Sequence, residues 1–529
     1  MTERVGSRPA AYRAGQRAAE YGADVLVVAL AYFLATGVRL GARLDAPEHA
    51  GALLVALGAG VVQVIAHLVF RVYDRDWSIA AVDDLMALVK ASVLVAAGLV
   101  ALNLVSEDHP IPNAAILPGL GLVILGEGAL KLRPRWRQIA GAAVRGSSVP
   151  FARPDIRAAE IDAVVRVLRS GWITTGPEVQ RFERAFERRL DVPHALAVVS
   201  GTAALHLALE AAGVGPGDEV IVPTWTFTAS AEVARYLGAK SVLVDVRADD
   251  LNIDVSAVAR AITPRTKAII GVDIGGQPCD WDELRDLAQP RGIALVDDAA
   301  HALPASLQGR EIGTWADYTA FSFYATKTLA TGEGGMLVTR HDDGAERARV
   351  MSLHGISKDA WKRYTADGTW RYEVIAPGYK YNMTDVSAAL GLVQLSRLDE
   401  MCARRTAIAA RYTSELGRLD ALQTPALRAD RTSAWQLYVL RLHLDRLRGD
   451  RSAFIEALKE RGVGASVHFI PLHLQPYWRD AYALDAADFP IATREYERVL
   501  SLPIYSAMTD DDVAKVIAAV EDIVGADRR

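Results

Sequence analysis

The spacing of apolar and polar positions changes character near residue 140. Before it, apolar residues come in long blocks: Tyr21 to Val38, Gly51 to Phe70, Leu85 to Val105 and Ala114 to Leu130. A helix needs about 20 such residues to cross the ~30 Å hydrocarbon layer of a bilayer, so the pattern predicts four membrane helices. Beyond a small-residue stretch, Gly141 to Ser148, the blocks are short and alternate in type. Glu178 to Leu190 carries Val179, Phe182, Phe186 and Leu190 at helical spacing, whereas Ala195 to Val199, Glu219 to Val222, Ser241 to Val244, Ala268 to Val272 and Ile293 to Val296 read as strands. Short apolar strands between helices belong to a mostly parallel sheet covered on both faces. From about Met401 the pattern becomes α+β and ends in a helix, capped by Thr509 and Asp512, with a stripe at Val513, Val516, Ile517 and Val520. The expected organisation is an all-α four-helix module over 1–140, a linker at 141–148, a large α/β domain over 149–400 and a small C-terminal domain over 401–529.

Composition narrows this picture. A chain of 529 residues exceeds one hydrophobic core, and 51% apolar with 23% charged residues excludes disorder. The net charge of -5 gives no general attraction for nucleic acid. Two cysteines, Cys279 and Cys402, make neither a disulfide framework nor a CxxC metal site, and place the chemistry in a reducing compartment. Arg4, Arg8, Arg13 and Arg17 precede the first block, Arg71 and Arg75 follow the second, and Lys131, Arg133, Arg135 and Arg137 follow the fourth. The positive-inside rule then puts both ends of the module, and the catalytic part, on the cytoplasmic side of a multi-pass inner-membrane protein. Within the blocks, Lys90 is expected to snorkel and Glu127 to pair with Lys131 at i,i+4, while Gln63 and His67 share one helix face as packing residues. No acid/base pair, metal-ligand spacing or polar cluster is apparent in the first 140 positions, and no metal site is expected.

Three clusters carry candidate chemistry. Ser200-Gly201-Thr202-Ala203 follows an apolar strand and opens a helix, the arrangement of an anion site at a helix N-terminus, although a plain N-cap would read the same way. Asp297-Asp298-Ala299-Ala300-His301 follows the Ile293 strand, where α/β folds place ligand contacts. A pyridine cofactor needs such a carboxylate to keep its ring nitrogen protonated, and adjacent acids point in different directions, so one of the two should reach the ring. A helix cap at either acid is the plain alternative. Third, Phe321 to Ala325 is an aromatic, apolar run leading to Lys327, followed by Gly332-Glu333-Gly334-Gly335. Such surroundings bury the lysine and favour the neutral amine of Schiff-base chemistry.

With these residues in view, the segment from about Val149 to Val524 resembles the fold-type I pyridoxal-phosphate sugar aminotransferases of the DegT/StrS type. The matching motifs run in family order. They are Ser170-Gly171-Trp172-Ile173-Thr174-Thr175-Gly176-Pro177, Ser200 to Leu205, Pro223-Thr224-Trp225-Thr226-Phe227, Asp297 to His301, the Lys327 segment, His354-Gly355, Gly378 to Asp385, Val467-His468-Phe469-Ile470-Pro471 and Ser501-Leu502-Pro503. The resemblance implies pyridoxal 5'-phosphate as cofactor, held covalently by Lys327. It implies Asp298 on the ring nitrogen, His301 on the ring hydroxyl, Phe227 (or Trp225) stacked on the ring, and Thr202, Ala203 and Ser322 around the phosphate. Lys380 and Asn382 match a segment that enters the neighbouring subunit's site, which implies a homodimer with shared active sites. Four positions depart from the pattern: Lys380-Tyr381-Asn382 stands where many relatives have Asn-Tyr-Arg, Asp273 where they commonly have His, and Asp297 where they usually have Glu.

Residues from about Tyr12 to Arg137, above all Phe70 to Trp77 and Asp83-Asp84-Leu85, resemble the membrane module that precedes the dehydratase domain of membrane-bound nucleotide-sugar dehydratases. Together the two resemblances imply a membrane-anchored aminotransferase that takes an amino group, with L-glutamate the expected donor, to a nucleotide-linked 4-keto-6-deoxy sugar for polysaccharide or glycan biosynthesis, beside other membrane-bound enzymes of that assembly. The rival readings are a dehydratase of the same fold, which in the family has histidine in place of the lysine, and a non-catalytic scaffold of a glycan-assembly complex.

Overall fold

A computed structural model describes residues 10–40, 48–70, 72, 82–105, 113–144, 148–356 and 372–528. The chain divides into two compact units, Met1–Gly146 and Ser147–Arg529. Most of the arginines that set the expected topology, and Tyr73 to Trp77 of the anchor motif, lie outside the described residues or their described side chains.

In the first unit four helices form: α1 (Ala10–Leu40), α2 (Glu48–Val69), α3 (Val82–Val105) and α4 (Asn113–Val144). Two of them, over Met86–Val105 and Ala114–Lys131, are long and apolar enough to cross a bilayer. The apolar windows of the other two, Tyr21–Thr36 and Leu53–Val69, are shorter. The expected four spans are thus two among the described residues. Arg13, Arg17, Glu20 and Asp24 spread charge through the first half of α1, and Gln63 and His67 dilute the second half of α2. The helix α4 also continues through Val144, past the start of the expected linker, because Ala-Gly-Ala-Ala-Val contains no residue that stops a helix.

Among the described residues, the unit exposes apolar side chains and buries a polar cluster within its apolar core. Leu26, Leu30, Leu54, Ile65, Leu104, Leu117 and Leu125 are exposed, whereas Asp24, Gln63, His67 and Glu127 are at most 1% exposed. Inside, His67 Nδ1 lies 3.0 Å from Asp24 Oδ2 and its Nε2 3.1 Å from Glu127 Oε2. Gln63 Nε2 donates to Ser92 Oγ at 2.9 Å and to Glu127 Oε2 at 3.1 Å. Lys131 Nζ donates to Asp24 Oδ2 at 2.9 Å. Two expectations fail here. Lys131 pairs with Asp24 of another helix rather than with Glu127 one turn back, because both α4 side chains are buried and each takes a charge or donor from a neighbouring helix. The module also does hold an acid/base cluster, and ligand atoms of Asp24, His67 and Glu127 lie within 4.8 Å of one another. Lys90 is exposed.

The second unit is built on a seven-stranded sheet. Its strands are β1 (His194–Val198), β2 (Glu219–Pro223), β3 (Lys240–Val244), β4 (Thr266–Val272), β5 (Ala294–Asp298), β8 (Tyr318–Ser322) and β9 (Gly335–Thr339), with a two-residue hairpin, β6 (Ser306–Leu307) and β7 (Arg310–Glu311), between β5 and β8. The order is β1-β9-β8-β5-β4-β2-β3. Strands β3, β2, β4, β5 and β8 are parallel, while β9 runs antiparallel between β8 and β1. Because strand residues alternate between faces, Ile269, Leu295 and Phe321 enter one apolar layer with Phe182 and Trp281. Ile270, Val272, Val296 and Ala320 enter the other with the helix that follows β1. A small antiparallel sheet, β10 (Leu422–Gln423), β11 (Tyr438–Leu442) and β12 (Val499–Leu502), packs with the C-terminal helix Asp510–Asp527. That helix opens on the expected cap: Thr509 Oγ1 accepts from Asp512 N at 3.1 Å, and Asp512 Oδ2 accepts from Thr509 N at 2.9 Å.

Candidate active site

The carboxyl ends of β2, β4, β5 and β8 converge on a cavity of about 450 Å³. Sheet geometry dictates the place: parallel strands end together, and the loops that leave them diverge to open a crevice. Its wall includes Thr202, Phe227, Asp298, His301, Ser322 and Lys327, so six of the expected site residues come together across 125 positions of sequence.

Lys327 sits in the turn after β8, its backbone N–H donating to Tyr324 O at 2.9 Å. Burial holds its amine down, at about 8, against the opposing pull of the Asp298 charge; Arg405 lowers it further. Gln436 clamps this turn, its Nε2 donating to Thr326 O at 2.9 Å and its Oε1 accepting from Thr328 Oγ1 at 3.5 Å. Asp298 ends β5, with Oδ2 accepting from Ser230 Oγ at 2.6 Å and Oδ1 from Ala300 N at 3.2 Å. Burial raises its carboxyl above the ordinary value, while these donors and Lys327 pull the other way. Asp297 does not line the cavity.

His301 is held far below its usual range by burial and then by the Lys327 and His468 charges. It is therefore neutral. Its Nδ1 accepts from Gly275 N at 3.2 Å, which leaves the proton on Nε2. Phe227 is 57% exposed at the cavity wall, whereas Trp225 is fully buried and donates from Nε1 to His468 O at 3.0 Å. Of these two, only Phe227 therefore offers a ring face to a bound molecule.

The helix α5 (Ala158–Ser170) and α6 (Pro177–Leu190) lie before β1, and α7 (Gly201–Ala211) follows it with its first turn at the cavity. Ser200 caps α7, its Oγ accepting from Ala203 N at 3.1 Å. Ala203 is buried behind Gly201 and Thr202 and does not line the cavity. A Cβ on Gly201 would stand 2.9 Å from Ser322 Cβ, and one on Gly335 2.5 Å from the Ser200 carbonyl. Glycines at both positions let the start of α7 close onto the ends of β8 and β9. Lys380 is exposed and Asn382 donates from Nδ2 to Thr175 Oγ1 at 2.6 Å; neither lines the cavity of its own chain.

The wall also includes Phe151, Gln436, His468 and Phe469, to which sequence reasoning assigned no role. His468 stacks on Phe151 at 4.9 Å and is held neutral, at about 4, by burial and then the Lys327 charge. The Val467-His468-Phe469 motif was the signal for two of these. Nothing in the sequence near Gln436 or Phe151 marks them. A flat ring with an anionic tail fits this cavity: an amine, a carboxylate, an aromatic face and a helix N-terminus surround one space.

Compared with known proteins, residues 154–521 match the family model described as the DegT/DnrJ/EryC1/StrS aminotransferase family. The spore coat polysaccharide biosynthesis protein SpsC of Bacillus subtilis is 50% identical over 385 residues, 72% of this chain and 99% of its own length. Among solved structures, Spr1654 from Streptococcus pneumoniae in its PLP form aligns with a TM-score of 0.67 and 34% identity, over 72% of this chain and 99% of that one. The sugar aminotransferase CalS13 from Micromonospora echinospora aligns with a TM-score of 0.64 and 30% identity, over 71% and 99%. None of these alignments extends over the whole chain, and the family match begins at residue 154.

Proposed function

The chain belongs to the DegT/DnrJ/EryC1/StrS aminotransferase family and is a pyridoxal-phosphate-dependent sugar aminotransferase, and from that premise we propose that it moves an amino group, from L-glutamate, onto the keto carbon of a nucleotide-linked 4-keto-6-deoxy sugar. When bound, pyridoxal phosphate supplies a carbonyl carbon that takes up an amine and a ring that withdraws electrons from the carbon attached to it. The protein supplies the rest. Lys327 Nζ holds the cofactor covalently and, once displaced, carries the proton to and from the reacting substrate carbon. Its lowered value leaves a substantial neutral fraction near physiological pH.

Asp298, fixed by Ser230 and Ala300, holds the proton on the ring nitrogen. Neutral His301 would offer its Nε2 proton to the ring hydroxyl, and Phe227 would pack on the ring face. Thr202, Ser322 and the first turn of α7 take the phosphate, where unpaired N–H groups and the helix dipole favour an anion; Ala203 supports that turn from behind. Lys380 and Asn382, outside the cavity of their own chain, are assigned to the cavity of a second copy in a homodimer.

The observation that carries this reading is the pairing of Lys327 and Asp298 across one cavity, the amine held near 8 and the carboxylate anchored by two donors. Purified wild-type protein with pyridoxal phosphate is expected to show visible absorbance and to aminate a nucleotide-linked keto sugar. Lys327→Ala should lose both; full turnover in that variant without added amine overturns the assignment.

The apolar outer surface of the first unit supports a place within the inner membrane, and the arginines that flank its apolar blocks support the cytoplasmic side for the catalytic unit. There the enzyme serves polysaccharide assembly next to the dehydratase that makes its keto sugar and the glycosyltransferase that takes its product. The likeness to SpsC points to the same class of pathway.

A further inference from the structure

On the face of the sheet opposite the cavity lies a group of polar atoms that the transamination machinery does not use. Asp297 precedes Asp298 on β5 and therefore points to the other side. It is level with Gly271 on β4 and with Thr319 on β8. Asp273, two positions past Gly271, comes to the same face and joins it there. Both acids are 0% exposed, in the apolar layer of Trp281, Leu295 and Phe321. Asp273 Oδ1 is well used, accepting from Cys279 N at 2.7 Å and Trp281 Nε1 at 3.0 Å. Four neighbouring atoms have no partner as ionised groups: Asp273 Oδ2, Asp297 Oδ1, Asp297 Oδ2 and Thr319 Oγ1. Four unmatched polar atoms in one dry place would each carry an uncompensated desolvation cost.

A single added proton, together with a rotation of the Thr319 side chain, resolves all four. Two carboxylates within hydrogen-bonding reach of each other in an apolar layer cannot both be ionised. With one proton on Asp297, its O–H donates to Asp273 Oδ2, and the Thr319 hydroxyl turns to donate to the remaining Asp297 oxygen. We propose that Asp273 and Asp297 share one proton, completed by the Thr319 hydroxyl, and that this singly charged pair is a positioning device behind Asp298, the carboxylate that faces the cofactor nitrogen.

Burial raises both carboxyl groups, and the Asp273 charge raises Asp297 further. The other ionisable groups acting on the pair are Asp298 across the sheet and the buried Cys279 thiol, which Asp250 also faces. The backbone ties the two strand ends together, with Asp273 N donating to Asp298 O at 3.3 Å, so the pair sits directly beside the end of the strand that carries the catalytic acid. One negative charge behind Asp298 favours the protonated ring nitrogen, whereas two would force the strand ends apart. The two family departures noted in the sequence, Asp273 and Asp297, are the two halves of this pair.

The role beside the ring rests on the transaminase reading; the shared proton does not, and the experiment separates them. Infrared spectra of the wild-type protein, with and without cofactor, labelled with carbonyl-¹³C aspartate, are expected to show a protonated carboxylic acid at neutral pH that shifts with the label. The band should persist in Asp298→Asn and vanish in Asp297→Asn, whose amide makes the same two hydrogen bonds. Absence of any such band in the wild type overturns the shared proton. For the positioning role, the visible absorbance of the holoenzyme is titrated with pH. Replacing both acids, D273N with D297N, removes the charge and should move the midpoint to lower pH, while Asp297→Asn alone, which keeps it, should leave the midpoint in place. An unmoved midpoint in the double variant overturns that role.

Discussion

Lys327 shows how far a residue's chemistry is set by what surrounds it. Burial favours the neutral amine, and the Asp298 charge restores part of the cation, leaving the group at about 8. Because only the neutral amine attacks an aldehyde, the rate at which the apoenzyme captures pyridoxal phosphate is expected to rise with pH and level off above about 8. Stopped-flow absorbance across that range measures it; a rate still rising tenfold per unit above pH 9 would mean an unperturbed lysine. The residue types of this site were legible in the sequence, since the acid pair, the lysine and the glycines stand in recognisable local settings. Which acid faces the cavity came from the family resemblance rather than from the local pattern, which leaves both acids open without the strand's own register. Gln436 and Phe151 were illegible for another reason: each arrives from a distant part of the chain, and its neighbours in sequence carry no trace of the cavity it borders.

At the level of elements, the parallel strands β2, β3, β4 and β5, though not β8, were readable to within two residues because each is a short apolar run. The antiparallel β9 was not, since Gly335 to Thr339 follows a glycine-rich turn and its partners β1 and β8 lie far apart in sequence. That strand matters to the site, because its first residue presses on the cap of α7. Gly335→Ala would place a Cβ 2.5 Å from the Ser200 carbonyl and push the helix start away from the cavity. Ser200→Ala removes only the cap, which costs about 1 kcal/mol. Urea denaturation should therefore show a modest loss for Ser200→Ala, whereas a pyridoxal-phosphate titration should show Gly335→Ala binding about tenfold more weakly or worse, a loss of at least about 1.4 kcal/mol. The polar interior of the helical unit escaped a reading of its sequence for a related reason: Asp24, Gln63, His67, Ser92, Glu127 and Lys131 come from four helices, and the i,i+4 spacings of Gln63 with His67 and of Glu127 with Lys131 do not show that the two pairs meet across helices.

For the molecule as a whole, the matched family region begins at residue 154, beyond the helical unit. A protein beginning at Ser147 is expected to be soluble, to bind cofactor and to keep most of its kcat on a soluble nucleotide sugar, while supporting glycan assembly poorly in cells; amination assays and membrane flotation of both forms test this. Dimer sharing predicts that a Lys327→Ala chain mixed with a Lys380→Ala, Asn382→Ala chain recovers up to one working site per verified heterodimer, and no recovery counts against it. The helical unit carries its own constraint, one of timing. Its ion pair joins Asp24 to Lys131 across 107 positions, so at about 5–20 residues per second of synthesis the acid leaves the ribosome roughly 5 to 20 seconds before its base exists. The first helix must wait for the last, and the unit closes only after all four have been made.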